Sequence, residues 1–192
     1  MIPLFIIYEV FLMENNYMSY KPVNDDLQSF PDPLESSAAG QGQGEVKSGS
    51  LMERKMLEML HQGFHIETIS SKSYKQLCDA VIAEDDKKII KDIMLDTVKH
   101  RKCFEELFYN FCGARPAGPP EQQPRHHFRS KTLPQIFEER MLEELLNVEF
   151  YRHIYFALAN LEYRDTLFEI ITDKLRHSQL LNYLYAKYRC GV

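Results

Sequence analysis

The sequence has few features of secreted, membrane-spanning or nucleic-acid-binding proteins. Its four cysteines form no Cys-x-x-Cys pair, which indicates reduced cytosolic thiols rather than a disulfide framework. The net charge is −5 at pH 7, and no basic stripe that would bind nucleic acid runs along the chain. The apolar stretch at residues 1–13 contains Glu9 and is too short to span a bilayer. These absences predict a cytoplasmic protein with no membrane span and no nucleic-acid partner.

Residues 1–50 differ in composition from the rest of the chain. From Asn15 to Ser50 the sequence is rich in Pro, Gly, Ser, Asn, Asp and Gln. Such a segment cannot bury enough apolar surface to offset the entropy lost on ordering. The sequence therefore predicts a disordered N-terminal tail at 1–50 and one ordered domain at 51–190. A translation start at Met13 or Met18 is another interpretation of the first apolar residues.

The ordered part has the apolar periodicity of helices throughout. The predicted helices span about 51–81, 85–112, 134–160 and 163–188. Short links predict antiparallel neighbours within the first and second pairs. Residues 113–134 hold five of the nine prolines, so this segment suits a long crossover rather than a helix. The fold class predicted is all-α, a four-helix bundle made of two helical hairpins and one long crossover loop.

The two predicted hairpins share an internal repeat with a constant offset of 77 positions. His177 lies 77 positions after His100, and the same offset joins several other residues of the two pairs of helices. The further pairs are Tyr74 and Tyr151, Glu67 and Glu144, Asp96 and Asp173, Thr97 and Lys174. One gap-free offset that matches glutamate, tyrosine and histidine predicts a duplicated helical hairpin.

Each predicted helix also has polar residues in the middle of its apolar face. They are Glu67 in the first helix, Thr97 and His100 in the second, Glu144 in the third, and Lys174 and His177 in the fourth. If the hairpins pack face to face, these side chains meet at one level of the core. Burying a charge costs several kcal/mol unless a partner is present. A carboxylate and imidazole cluster inside a bundle is also how such proteins hold metal.

Residues 51–188 resemble the ferritin-like superfamily, specifically its rubrerythrin-type branch. Glu67 precedes Tyr74 by seven residues, and Glu144 precedes Tyr151 by seven. The segments DTVKH and DKLRH stand where that branch usually has DExxH. The chain lacks the Cys-x-x-Cys rubredoxin module of rubrerythrins proper. The resemblance implies a ferritin-like bundle, a di-iron carboxylate centre, and tyrosines near the metal; Tyr74 and Tyr151 are alternatively plain core aromatics.

The chain departs from that family at the two glutamates that bridge the irons. Thr97 and Lys174 occupy those positions, and a protonated lysine repels a cation. The family ligands that persist by register are Glu67, His100, Glu144 and His177. The preceding residues, Asp96 and Asp173, are not predicted as ligands, because a shift of one residue rotates a helical side chain by about 100°.

Three states of this core are open from the sequence. The first is a working di-iron centre. The second is a single divalent metal, such as iron, manganese or zinc, on the four persisting ligands. The third is a metal-free core in which Lys174 pairs with Glu67, Glu144 or both. The absence of two anionic ligands favours the third state.

Two functions follow from these states. The favoured one is a rubrerythrin-like domain with a degenerate di-iron site that acts through its surface as a scaffold or partner-binding module, for which a homodimer is one arrangement. The alternative is a metal-binding oxidoreductase that reduces peroxide or oxidises iron at a modified mono- or dinuclear site. Iron storage in a shell has no support, since nothing in the sequence indicates assembly of a cage.

Overall fold

A computed structural model of the chain describes residues 51–119 and 131–190, which form four α-helices. They are α1 (Leu51–Ala80), α2 (Glu84–Cys112), α3 (Leu133–Ala157) and α4 (Leu161–Cys190). The described residues contain no strand, and the all-α prediction is confirmed at that level. None of these four helices has an apolar stretch long enough to cross a membrane. The predicted tail at 1–50 and residues 120–130 of the crossover lie outside the described residues.

The helix ends follow local capping chemistry. Gly113 ends α2 with φ 71°, and its N–H donates to the Tyr109 carbonyl at 2.7 Å. That left-handed conformation favours glycine. Thr132 and Gln135 form a capping box at the start of α3, where Pro134 needs no N–H partner. α3 ends at Ala157, three residues before its predicted end.

The helices pair as two hairpins. α1 packs chiefly against α2, and α3 chiefly against α4, while α1 also touches α3 and α2 also touches α4. Each hairpin has a three-residue link, at 81–83 and 158–160, which suits antiparallel neighbours. In this bundle α4 lies diagonally opposite α1, so a side chain of one that reaches the other must pass through the centre.

Apolar side chains fill the bundle on one side of the level at which the polar residues of the four helices lie. The buried set there is Tyr74, Leu77, Val81, Ile90, Ile93, Ile136, Phe137, Leu181 and Leu184. Tyr185 and Tyr188 pack against it, and the Tyr188 hydroxyl donates to buried Asp86 at 3.0 Å. Tyr185 and Tyr188 are therefore half-buried, and Tyr183 is mostly exposed.

Gly63 on α1 lies against the ring of Phe104 on α2. A Cβ at this position would lie 2.5 Å from Cε1 of Phe104. Phe104 is fully buried, with its ring centroid 4.9 Å from that of Tyr151, so it has little room to move. We expect Gly63→Ala to lower the free energy of unfolding by about 1–2 kcal/mol in urea denaturation, because overpacking outweighs alanine's better helix propensity.

Gly118→Ala is the matched control, since a Cβ there meets nothing within 4 Å. Its free energy of unfolding should stay within about 0.5 kcal/mol of wild type. Introducing Phe104→Leu should remove most of the effect of Gly63→Ala, because the smaller side chain frees the space. Equal stability of wild type and Gly63→Ala would show that Phe104 can move aside.

Candidate functional site

The centre of the bundle is built around the amine of Lys174. This side chain on α4 is fully buried, and its Nζ lies 3.0 Å from Oε1 of Glu67 on α1. The same atom lies 3.1 Å from Oε2 of Glu144 on α3. One ammonium therefore neutralises two carboxylates from two helices. We call Glu67, Thr97, His100, Glu144, Lys174 and His177 the central polar cluster.

Two tyrosines donate further hydrogen bonds to the glutamates. The Tyr74 hydroxyl donates to Oε1 of Glu144 at 2.6 Å. The Tyr151 hydroxyl donates to Oε1 of Glu67. Both tyrosines are almost fully buried, so these bonds satisfy polar atoms that water does not reach. Both bonds join the first hairpin to the second.

The histidines lie beyond the glutamates, each between two carboxylates. His100 has Nδ1 3.7 Å from Oε2 of Glu67 and Nε2 3.1 Å from Oδ2 of Asp173. His177 repeats this pattern, with Nδ1 3.5 Å from Oε2 of Glu144 and Nε2 3.3 Å from Oδ2 of Asp96. The Nδ1 distances exceed a good hydrogen bond. The Nε2 bonds to aspartate set the orientation of both rings.

Thr97 breaks the symmetry of the central polar cluster. It occupies the position of Lys174 in the other hairpin, but its hydroxyl donates to the Ile93 carbonyl at 2.9 Å within its own helix. Its side chain contributes no charge. The cluster thus has one cation where a symmetric arrangement would have either two or none.

Burial and charge act in opposite directions on the pKa values of the cluster. Burial raises the pKa of Glu144, but the ammonium of Lys174, the nearby His177 ring and the bond from Tyr74 outweigh it and bring that pKa to about 2. Glu67 behaves likewise, with its pKa below the ordinary value. Burial lowers the pKa of Lys174, yet the two carboxylates raise it above its ordinary value. Lys174, Glu67 and Glu144 are therefore all ionised at neutral pH.

This arrangement does not fit a pair of iron ions. The four ligands that the resemblance implies do converge, but Glu67 and Glu144 both face the Lys174 amine. A fully buried ammonium 3.0–3.1 Å from both carboxylates holds the positive charge that a metal would bring, and it would repel one. Thr97 offers no carboxylate on the opposite side. Metal binding by these four residues stays a prediction.

Asp96 and Asp173 lie closer to the site than the sequence indicated. Asp96 is buried and Asp173 half-buried, and each binds the histidine of the opposite hairpin. Together with His177 they offer three ligand atoms that all lie within 4.8 Å of one another. The rotation of about 100° places both side chains away from the centre of the buried helix face. They lie on a flank of that face that the other hairpin partly covers. Their match in the 77-residue repeat was the available signal.

Arg176 joins the two aspartates on this flank. Its guanidinium donates to Oδ2 of Asp96 at 2.5 Å and to Oδ1 of Asp173 at 2.9 Å. Lys99 adds a bond to the other oxygen of Asp96 at 2.8 Å. Burial raises the pKa of Asp96, but the bonds from Lys99, Arg176 and His177 hold it well below its usual range. No sequence pattern singled out Arg176.

Comparison of the chain with protein families, curated proteins and solved structures finds no match in any of the three.

Proposed function

We propose that this chain is a ferritin-like domain with a degenerate di-iron site, in which Lys174 has taken the place of metal, and that it acts as a non-catalytic binding module. The observation that carries the proposal is the fully buried Lys174 amine between Glu67 and Glu144. An ammonium there supplies the charge that two buried carboxylates require. It offers no open coordination position and no redox chemistry.

The paired contacts support a ferritin-like origin by duplication of one hairpin. Tyr74 binds Glu144, and 77 positions later Tyr151 binds the counterpart, Glu67. The two histidine–aspartate bonds are related by the same offset. Contacts that repeat with the sequence offset are expected if two copies of one hairpin pack about a two-fold axis. Lys174 and Thr97 would then be separate replacements of one ancestral bridging glutamate.

Exposed apolar side chains support action through the surface. Phe156 near the end of α3 is 68% exposed, and Leu161 and Phe168, which lie seven residues apart on one face of α4, are 70% and 60% exposed. Large apolar side chains grouped on a surface are typical of protein interaction sites. A scaffold or partner-binding role, including a homodimer, uses such a surface and needs no metal.

The proposal predicts that carboxylates at the two replaced positions restore iron binding. We expect the double variant Thr97→Glu, Lys174→Glu, reconstituted anaerobically with Fe²⁺, to hold about two more irons per chain than wild type. The added carboxylates would complete the set of Glu67, His100, Glu144 and His177, and the repelling ammonium is gone. Metal analysis after gel filtration gives the iron content.

Lys91→Glu is the control, because it makes the same charge reversal on the exposed face of α2 and should add no iron. A folded double variant that binds no more iron than wild type would contradict the degenerate-site proposal. So would wild type that binds iron stoichiometrically and loses it in Glu67→Gln. Circular dichroism of each variant separates loss of folding from loss of binding.

A further inference from the structure

The flank formed by Asp96, Asp173 and His177 has the composition of a metal site. Two carboxylates from different helices and one imidazole nitrogen approach within 4.8 Å of one another. Ligands of a tetrahedral zinc-like ion are about 3.5 Å apart. The Asp96–His177 pair already lies at 3.3 Å. Asp173, whose side chain is 35% exposed, must release Arg176 and move by roughly an ångström to reach this spacing.

Nε2 of His177 donates to the Asp96 carboxylate in the metal-free protein, so binding of an ion at this nitrogen replaces that proton. A metal-binding imidazole must carry its proton on the other nitrogen. Nδ1 of His177 is buried, has no hydrogen-bond partner among the described residues, and lies 3.5 Å from the Glu144 carboxylate. That carboxylate is a natural acceptor for an Nδ1 proton, as in the carboxylate–histidine pairs that orient metal ligands. Lys174 and Tyr74 hold Glu144 in place.

Arg176 occupies the position that a cation would take. Its guanidinium bridges Asp96 and Asp173, and its side chain is 48% exposed. An exposed arginine can swing into solvent at little cost, because surface ion pairs contribute only about 0–1 kcal/mol each. Lys99, which is 73% exposed, binds the other oxygen of Asp96 and so does not compete for Oδ2. His100 Nε2 donates to the Asp173 carboxylate and positions it.

We infer that Asp96, Asp173 and His177 form a site for one divalent transition metal ion, closed in the metal-free protein by Arg176. Carboxylate and imidazole ligands of this kind suit zinc, cobalt, manganese or ferrous iron. The site goes beyond the proposed function, since it lies on the outer side of the histidines and leaves Lys174 with its glutamates. A bound ion replaces the charge of Arg176 rather than that of Lys174.

Co²⁺ titration of chelator-treated full-length protein tests the site, because visible ligand-field bands report the coordination of this ion. We expect one Co²⁺ per chain in wild type. Arg176→Gln should tighten the binding roughly tenfold by removing the competing guanidinium, a change of about 1.4 kcal/mol. Asp173→Asn should weaken it at least tenfold. Asp165→Asn, an exposed aspartate of the same helix, is the matched control and should bind as wild type does.

The outcomes separate this site from the central polar cluster. Unchanged Co²⁺ affinity in Asp173→Asn, or no gain in Arg176→Gln, would overturn the inference, including the case in which exposed cysteines bind the ion. Binding that depends on Glu67 but not on Asp173 would also overturn it, and would contradict the proposed function as well. Restoration of iron binding by Thr97→Glu, Lys174→Glu should persist in an Asp173→Asn background, so each proposal can fail alone.

Discussion

Replacing Lys174 with methionine should destabilise the protein by about 3–5 kcal/mol, the usual cost of removing one partner from a buried ion pair. The side chain is fully buried and is the cation 3.0–3.1 Å from both Glu67 and Glu144. Methionine fills a similar volume but leaves two carboxylates facing each other without a counterion. Urea denaturation at pH 7 gives the free energy of unfolding of both proteins.

Two further variants show whether charge causes the loss. Lys99→Met removes an ion pair with Asp96 from a lysine that is 73% exposed, and it should cost less than about 1 kcal/mol. Adding Glu67→Gln and Glu144→Gln to Lys174→Met removes the unpaired carboxylates and should recover at least half of the lost stability. Equal stabilities of Lys174→Met and wild type would mean that the ion pair is not needed to hold the bundle together.

Acid should weaken the protein strongly between pH 4.5 and about 2. Glu144 has a folded pKa of about 2 against an ordinary value of 4.5. A carboxyl with a lowered folded pKa contributes stability above its unfolded pKa and loses it as the pH falls toward the folded value. Glu144 alone should lose about 3 kcal/mol across this window. The pKa values of Glu67, Asp96 and Asp173 are also lowered and act in the same direction.

Glu144→Gln isolates this contribution. The variant should be less stable at pH 7, but its free energy of unfolding should fall by about 2–3 kcal/mol less than that of wild type between pH 4.5 and 2.5. Glu149→Gln changes an exposed glutamate of the same helix and should keep the wild-type pH dependence. Glu143, whose pKa burial raises to about 7, is protonated throughout this range and does not disturb the comparison. Parallel curves for wild type and Glu144→Gln would refute the argument.

Much of the fold could be predicted because helical periodicity and burial are local properties of the sequence. Leu167, Ile170 and Lys174 share one predicted face and are all buried. Gly113 ends α2 through the left-handed conformation that only a residue without Cβ adopts easily. The helix ends were less predictable. α4 starts at Leu161 rather than near 163, because the Asn160 side chain accepts the Tyr163 N–H and extends the first turn.

The site could be predicted only in part. Apolar periodicity describes one helix at a time, whereas the site joins side chains from four helices. Periodicity placed Lys174 in the core with Glu67, Glu144 or both, and the structure pairs it with both. Periodicity did not show that Asp96 and Asp173 bind the histidines, since that depends on how the hairpins cross. A residue about 100° from the centre of a helix's buried face can still be covered by a neighbouring helix. How much of that face the neighbour covers depends on how the helices pack.

The polar bonds at the centre of the bundle have a consequence for how the two hairpins align. All the bonds from tyrosine to glutamate and from histidine to aspartate run from one hairpin to the other. Sliding one hairpin by a single helical turn, about 5.4 Å, would break all of these bonds at once. It would also leave buried charges without partners in an apolar interior. Apolar side chains alone would tolerate such a slip far better. The charged and polar contacts therefore select one alignment of the two hairpins along the bundle axis.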